Sequence, residues 1–559
     1  MATVTSSTSA SATAALATTT SGTTTTTSVD WDALIEAQVA TKTAAADTIE
    51  TSITANEAKI SAYQNLQTLL DTLVTSTTSL SKSIVNSLSD STFGARAATI
   101  TSSGDVSASS AVSMSISNGA ATGDHTLTVE QIATAHRVIG TSVADKSADM
   151  GLTGVFSLGL AGGTSVDVSI TSGMSMEDIA DTINAQSDST NVQASIIQIS
   201  STEYALTLTA LNDNAEITTS VVSGDDVLTT LGVTDSAGDF TDVLQEPQPA
   251  LFTVDGISLT RDTNDITDVL SGVTFSLLQA TPDGSTINLS IDVDADQIAA
   301  ALEEFVTAYN AVREEVTAQQ TLTSDGTADS SAVLFGDGTM RSIMTQIEQA
   351  MNSTVGGLSM TDLGLSFTDT NTLEFDTSVL SATLTEDLSG VIALLASKTT
   401  ASSSSLSVVN TNSSPPSSFV LDIAVDDSGA LTVSVGGDSS LFTVSGNTII
   451  GASGTVYSGM AFTYSGSSSA SITVTSTSGI AAQINNIADL ASDTSTGSLQ
   501  DLVTSLQSQD DRMEQQINDI NERAEIYRAM LVSQYAKYQS AISTADTTLD
   551  YLSALLNDE

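Results

Sequence analysis

Apolar residues recur every three or four positions at both ends of this chain, whereas the middle alternates at every second position. Toward the amino end the stripe runs through Ile49, Ile53, Ile60, Tyr63, Leu66, Leu70, Leu73, Leu80 and Ile84. That spacing repeats one face of a helix, so a long amphipathic helix is predicted from Asp30 to about Leu88. Asn56 and Thr77 interrupt the stripe. Polar residues inside an apolar seam fix register at some cost in stability.

At the carboxyl end Leu499, Val503, Leu506, Met513, Ile517, Ile520, Ala524, Tyr527, Leu531 and Tyr538 keep a strict three–four alternation, with Asp510 and Gln534 as polar members. One extra four-residue step follows Tyr538, and Ile542, Ala545, Leu549, Leu552 and Leu556 then resume the pattern. Such a repeat is a coiled-coil seam with a stutter. About 58 residues of helix would extend roughly 87 Å. A helix that long has to pair, either with the amino-terminal stripe or with a second copy. The two stripes together form the candidate oligomerisation seam.

Between the ends the texture is short strands rich in Val, Ile and Thr, such as Val166–Ile170 and Tyr204–Leu208, punctuated by Gly. One short helix is predicted from Ser175 to Ala185, with Ser175 as its N-cap and Glu177 and Asp178 in the first turn. Helix returns at Asp294, a candidate N-cap ahead of Ile298, Leu302, Phe305, Tyr309 and Val312, and again from Thr339 to Met351. The expected fold class is therefore α+β and multidomain, with long helical or coiled-coil termini bracketing β-rich central domains. The expected divisions are 1–29, a disordered Ser/Thr tail; 30–92, an amino-terminal helical leg; 93–250, β-rich central domains; and 251–293, a β segment returning to the helical domain. They continue with 294–400, a helical domain with short strands; 401–418, a linker; 419–478, a β module; and 479–559, a carboxyl-terminal coiled-coil leg.

Charge narrows the partners. Sixty-six acids against fourteen bases leave a formal net charge of −52. A field of that sign repels phosphate backbones and anionic membranes, so nucleic acid is excluded as an expected partner. No run approaches the 18 or so apolar residues of a membrane span, so membrane insertion is not expected. Cysteine is absent, which suits export of an unfolded chain. The segment Met1–Ser28 is almost wholly Ser, Thr and Ala, and the first basic residue is Lys42. It lacks the basic and apolar regions of a Sec signal, so export by another route is expected.

No constellation for bond chemistry emerges, and no catalytic, cofactor-binding or metal-binding residue is assigned. The two histidines, His125 and His136, sit in strand-like surroundings without a nucleophile beside them. Asp292, Asp294, Asp296 and Glu303 imitate an EF-hand, but Gln297 stands where that loop needs Gly, so a strand end followed by a helix cap is the better reading.

Several blocks resemble the flagellar filament cap family, also called hook-associated protein 2 or FliD. Phe252-Thr253-Val254-Asp255-Gly256, followed by Arg261, Asn264, Ile266, Asp268, Gly272, Val273, Thr274 and Leu277, is similar to that family's F-T-V-N-G…R…N-x-I-x-D…G-V-T-x-x-L segment, with Asp255 in place of the usual Asn. Phe305–Asn310 is similar to its F-V-x-A-Y-N helix. Weaker likenesses lie at His125–His136, at Ile179–Asn184 with Val192–Ser195, and at Ser61-Ala62-Tyr63…Leu66. The G-S-G-L-D-type opening is reduced to Ser28-Val29-Asp30, and the β module at 419–475 is additional to the shortest members.

The resemblance implies a structural protein without cofactors, at the distal tip of an extracellular bacterial flagellum. There it would form a ring-like homo-oligomer, with a pentamer as the working expectation. Its implied partners are flagellin, hook-associated proteins and the flagellar type III export apparatus. Two alternatives stay open: a flagellin-like or hook–filament junction subunit, and an acidic surface adhesin that binds calcium or glycans.

Overall fold

The computed structural model describes residues 16–19, 26–83, 90–412 and 415–557. Its main helices are α1 (Trp31–Ser81), α2 (Met176–Asn184), α3 (Ala295–Ala318), α4 (Gly338–Met351), α5 (Thr377–Leu395), α6 (Ile480–Ser492) and α7 (Ser498–Asn557). Local chemistry starts them where the sequence expects. The Asp30 carboxylate accepts from Ala33 N–H, and Asp294 from Gln297 N–H. Ser175 and Asp178 form a reciprocal capping box.

One helical core gathers both ends of the chain. Tyr63, Leu66, Leu70, Leu73 and Leu80 of α1 pack with Ile298, Leu302, Phe305 and Tyr309 of α3, with α4 and α5, and with Ile480 and Ile484 of α6. Leu499 and Val503, at the start of α7, belong to the same core. Beyond it α1 and α7 run antiparallel to the point where Trp31 stacks on Tyr535, ring centroids 5.0 Å apart.

The β-rich middle forms two modules with separate cores. In the inner module a five-stranded sheet runs in the order Ile257–Arg261, Ala250–Val254, Gly123–Gln131, Thr286–Val293, Arg96–Ser103. A three-stranded sheet covers it, and Phe252 meets Phe275 edge-on between them at 6.0 Å. The outer module carries a four-stranded and a three-stranded sheet, with α2 packed through Met176, Ile179 and Ile183. The ladders of both modules are antiparallel, some between hairpin neighbours such as Ala250–Val254 and Ile257–Arg261 and others between strands far apart in sequence such as Thr286–Val293 and Arg96–Ser103.

Several expected boundaries move. The segment 251–293 does not return to the helices: Thr286–Val293 lies in mid-sheet between Gly123–Gln131 and Arg96–Ser103, completing the inner module. The expected linker 401–418 carries strands, because Lys398–Ala401 and Leu406–Asn410 each join a sheet of a sandwich that extends to Thr477. Of the expected disordered tail, residues 1–15 and 20–25 lie outside the described residues, and the backbone at Leu16–Thr19 pairs antiparallel with Thr26–Val29. The carboxyl-terminal leg is two helices. Asp493 accepts from the N–H and hydroxyl groups of both Ser495 and Thr496, which ends α6 and sets the start of α7. The amino-terminal helix stops at Ser81, and Ile84 and Leu88 lie outside the described residues.

Helix α5 was not anticipated. By length and composition it is apolar enough to cross a membrane. It is instead kinked at Asp387 (φ −148°, ψ 71°), and Leu380, Leu384, Val391, Leu394 and Leu395 are buried in the helical core.

Candidate functional site

The two apolar stripes meet within one chain for most of their length. Ile49, Ile53 and Ile60 are half-buried along α1. On α7, Leu506, Met513, Ile517 and Ile520 are half-buried, and Ala524 and Leu531 pack with Ile35 and Val39. Tyr527 donates its hydroxyl to Gln38 Oε1 at 3.2 Å, and Gln38 Nε2 donates to the Tyr535 hydroxyl at 2.7 Å. Lys42 lies 5.4 Å over the Tyr527 ring. Both polar interruptions of the α1 stripe are matched. Asn56 Nδ2 donates to Asp510 Oδ1 at 2.7 Å, and Asn485 Nδ2 donates to Thr77 Oγ1 at 3.0 Å.

This pairing corrects the expected seam. Tyr63, Leu66, Leu70, Leu73, Leu499 and Val503 are interior residues of the subunit's own core and offer no surface to a neighbour. Past Tyr535 the partner ends, since α1 begins at Trp31. Tyr538, Ile542, Leu549 and Leu552 are 47%, 49%, 60% and 49% exposed. Leu556 continues the helix, with its side chain outside the described residues. A second row, Ile526 and Met530, is exposed on the paired part of α7. Its i, i+4 spacing was available in the sequence but falls out of phase with the seam.

The blocks that carried the family likeness perform definite structural tasks. Asp255 and Gly256 both have positive φ (50° and 79°), which suits the tight turn between Ala250–Val254 and Ile257–Arg261. Asp255 also accepts from Thr126 N–H at 2.9 Å and sits 2.8 Å from His125 Nδ1. The His125 hydrogen bond, then that from Thr126, hold its carboxyl below the usual range. The substitution of Asp for Asn is thus matched by a histidine. Arg261 grips Asp268, with Nη2 to Oδ2 at 2.9 Å. That hydrogen bond lowers the Asp268 pKa. Gly272 has φ +78°, and a Cβ there would stand 3.2 Å from that of Ala120. Phe252, Val254 and Val273 are core residues, as are Phe305 and Tyr309. Burial pushes the Tyr309 phenol up to about 12.

Three asparagines act alike. Asn264 Oδ1 accepts from Ala133 N–H at 2.8 Å while its Nδ2 donates to Ala133 C=O at 2.9 Å. Asn310 holds both groups of Leu373 in the same way (2.7 and 3.0 Å), and Asn184 those of Ala194 (2.8 and 2.9 Å). Each side-chain amide replaces one rung of a β-ladder, satisfying a backbone donor and acceptor together.

These residues lie inside regions that match known families. The sequence profile described as the flagellar hook-associated protein 2 C-terminus matches residues 248–547. That is more than half of the chain. This protein belongs to the flagellar hook-associated protein 2 family. The corresponding N-terminus profile matches residues 27–136, and a flagellin hook IN motif matches residues 155–212.

Flagellar hook-associated protein 2 of Escherichia coli K12 is 29% identical over 387 residues, covering 66% of this chain and 78% of that protein. The A-type protein of Pseudomonas aeruginosa is 26% identical over 298 residues, covering 50% and 62%. Among solved structures, the D1-D2-D3 domains of the flagellar cap protein FliD from Escherichia coli share 28% identity. That comparison has a TM-score of 0.47 and covers 60% of this chain and 90% of that one. The family is structural and carries out no enzymatic reaction.

Proposed function

We propose that this chain caps the distal end of a bacterial flagellar filament, retains exported flagellin there and promotes its polymerisation. Family membership over residues 248–547 is the observation that carries the reading. The architecture supports it. An antiparallel helical stalk of α1 and α7 leaves the helical core at one end, and two β modules with their own cores supply a separate surface. The chain works outside the cell as a ring-like homo-oligomer, a pentamer being the working number. It leaves through the flagellar type III apparatus, which its cysteine-free sequence suits. Mechanism here is positioning and gating, with no bond made or broken.

In this reading the intermolecular part of the seam is the end of α7, from Tyr538 to Leu552, where the subunit's own α1 no longer covers it. A filament or junction subunit is the second reading, favoured by the flagellin hook IN motif at residues 155–212. Deleting the gene separates the two. Loss of a cap leaves hooks with short or absent filaments and flagellin monomer in the medium, restored by the gene in trans. Filaments of normal length without monomeric flagellin in the medium would contradict the cap reading.

A further inference from the structure

The inner and outer β modules are joined by two chain crossings, at 132–135 and 245–249. These form a ribbon in which Thr134 pairs antiparallel with Gln248, N–H to O at 3.0 and 3.3 Å. A two-stranded ribbon alone is a weak strut, because an isolated pair of strands is marginally stable in water.

A third connection crosses the joint beside the ribbon and is bonded to its first strand. The outer-module turn at Asp213–Asn214 reaches the inner-module loop at 262–264. Asn214, held in the left-handed region at φ 51°, donates from Nδ2 to Asp262 Oδ1 at 2.8 Å, and its N–H donates to Thr134 C=O at 2.9 Å. Asn264 Nδ2 donates to Asp213 Oδ2 at 3.3 Å while the same side chain grips both backbone groups of Ala133. One amide therefore binds the first crossing and the outer-module turn at once. The Asn264 backbone is itself fixed in the inner sheet, where its C=O accepts from Leu277 N–H at 2.9 Å.

We propose that Asn264 is a positioning residue that locks the outer module in one orientation on the inner module. Removing its side chain strips Ala133 of both partners and releases the Asp213 carboxylate. The joint is then left with the ribbon and the Asn214–Asp262 strap. Asn264 is half-buried at a bend between two strands, so its loss is expected to leave each module folded while the angle between them loosens.

The chain contains no cysteine, which allows clean double spin labelling. Thr122→Cys in the inner module and Ser172→Cys in the outer module are both exposed. In the full chain the label pair is expected to give one narrow distance distribution. Asn264→Ala should at least double its width while leaving circular dichroism and the melting transitions of the β modules in place. If Asn264→Ala fails to fold, Asp213→Ala decides: it leaves the Asn264 clamp on Ala133, removes the Asn264 contact to the outer-module turn, and should broaden the distribution in a folded protein. A parent distribution already broad, or a folded variant as narrow as the parent, would overturn the assignment.

Discussion

Asn56 of α1 and Asp510 of α7, the polar interruptions of two apolar stripes far apart in sequence, meet inside the seam at 2.7 Å. Both are buried. The pair fixes the antiparallel register, because sliding either helix by one turn would place an amide or a carboxylate against aliphatic side chains. Asn56→Ala leaves the Asp510 carboxylate without that donor and should cost about 1–3 kcal/mol. Replacing both by Leu should recover most of the loss, since an apolar pair of similar size is often neutral or better. Chemical denaturation of the single and double variants measures it. A double variant no more stable than Asn56→Ala would contradict this account of the pair.

The sandwich at Lys398–Thr477 enters and leaves the helical domain at one place. Lys398 pairs with Thr477, and Gly479 N–H donates to Ala396 C=O at 3.1 Å. Its core shares no residue with the helical core. Deleting 400–475 and joining the two strands by an Asn-Gly turn should therefore change helical-domain stability by no more than about 1 kcal/mol, or roughly 2–4 °C in Tm for a domain of 150–250 residues. Calorimetry checks it, and collapse of the helical transition would show that the sandwich is part of that domain's support.

His136 lies in the outer module with its Nδ1 accepting from Ile217 N–H at 2.9 Å, so the neutral ring is the form that fits. Burial lowers its pKa below 6.5, outweighing Glu246 and Glu216, which act in the opposite direction. A depressed folded pKa for a base means that stability is fully present above the unfolded value of 6.5 and is lost as pH falls through the folded value. Hydrogen exchange at Ile217, corrected for intrinsic rate, should show protection falling as pH drops below the unfolded value of 6.5, with His136→Gln abolishing that slope. Equal slopes in parent and variant would assign the effect to other groups.

Much of the local structure was legible before any contact was known. Ser175 and Asp294 announced helix starts through their side-chain oxygens, and the three–four repeat marked both stripes. What pairs with what was not legible. Nothing in Thr286–Val293 says that it lies between two strands from the far end of the module, because that choice rests on non-local burial of Ile287, Leu289 and Ile291. The strands at 398–410 were hidden by Ser-rich composition, and α5 by the Glu386-Asp387 interruption. The asparagine clamps were visible only as motif letters; their partners are distant in sequence for Asn264 and Asn310.

A formal charge of −52 on each copy makes assembly dependent on salt. Repulsion acts over a Debye length of roughly 30 Å at 0.01 M salt and about 8 Å at physiological ionic strength. The oligomer should therefore tighten as sodium chloride is added. Light scattering that showed dissociation on salt addition would mean that interchain ion pairs outweigh the net repulsion.

The most direct test of a self-assembling cap built through the free end of α7 is the mass distribution of the purified full chain, by mass photometry at physiological salt. The account predicts a single closed species of a few subunits. Ile542→Asp with Leu549→Asp should return it to monomer while the paired stretch to Leu531 keeps its helical signal. An open series of growing polymers, or a double variant that still forms the parent oligomer, would contradict the claim.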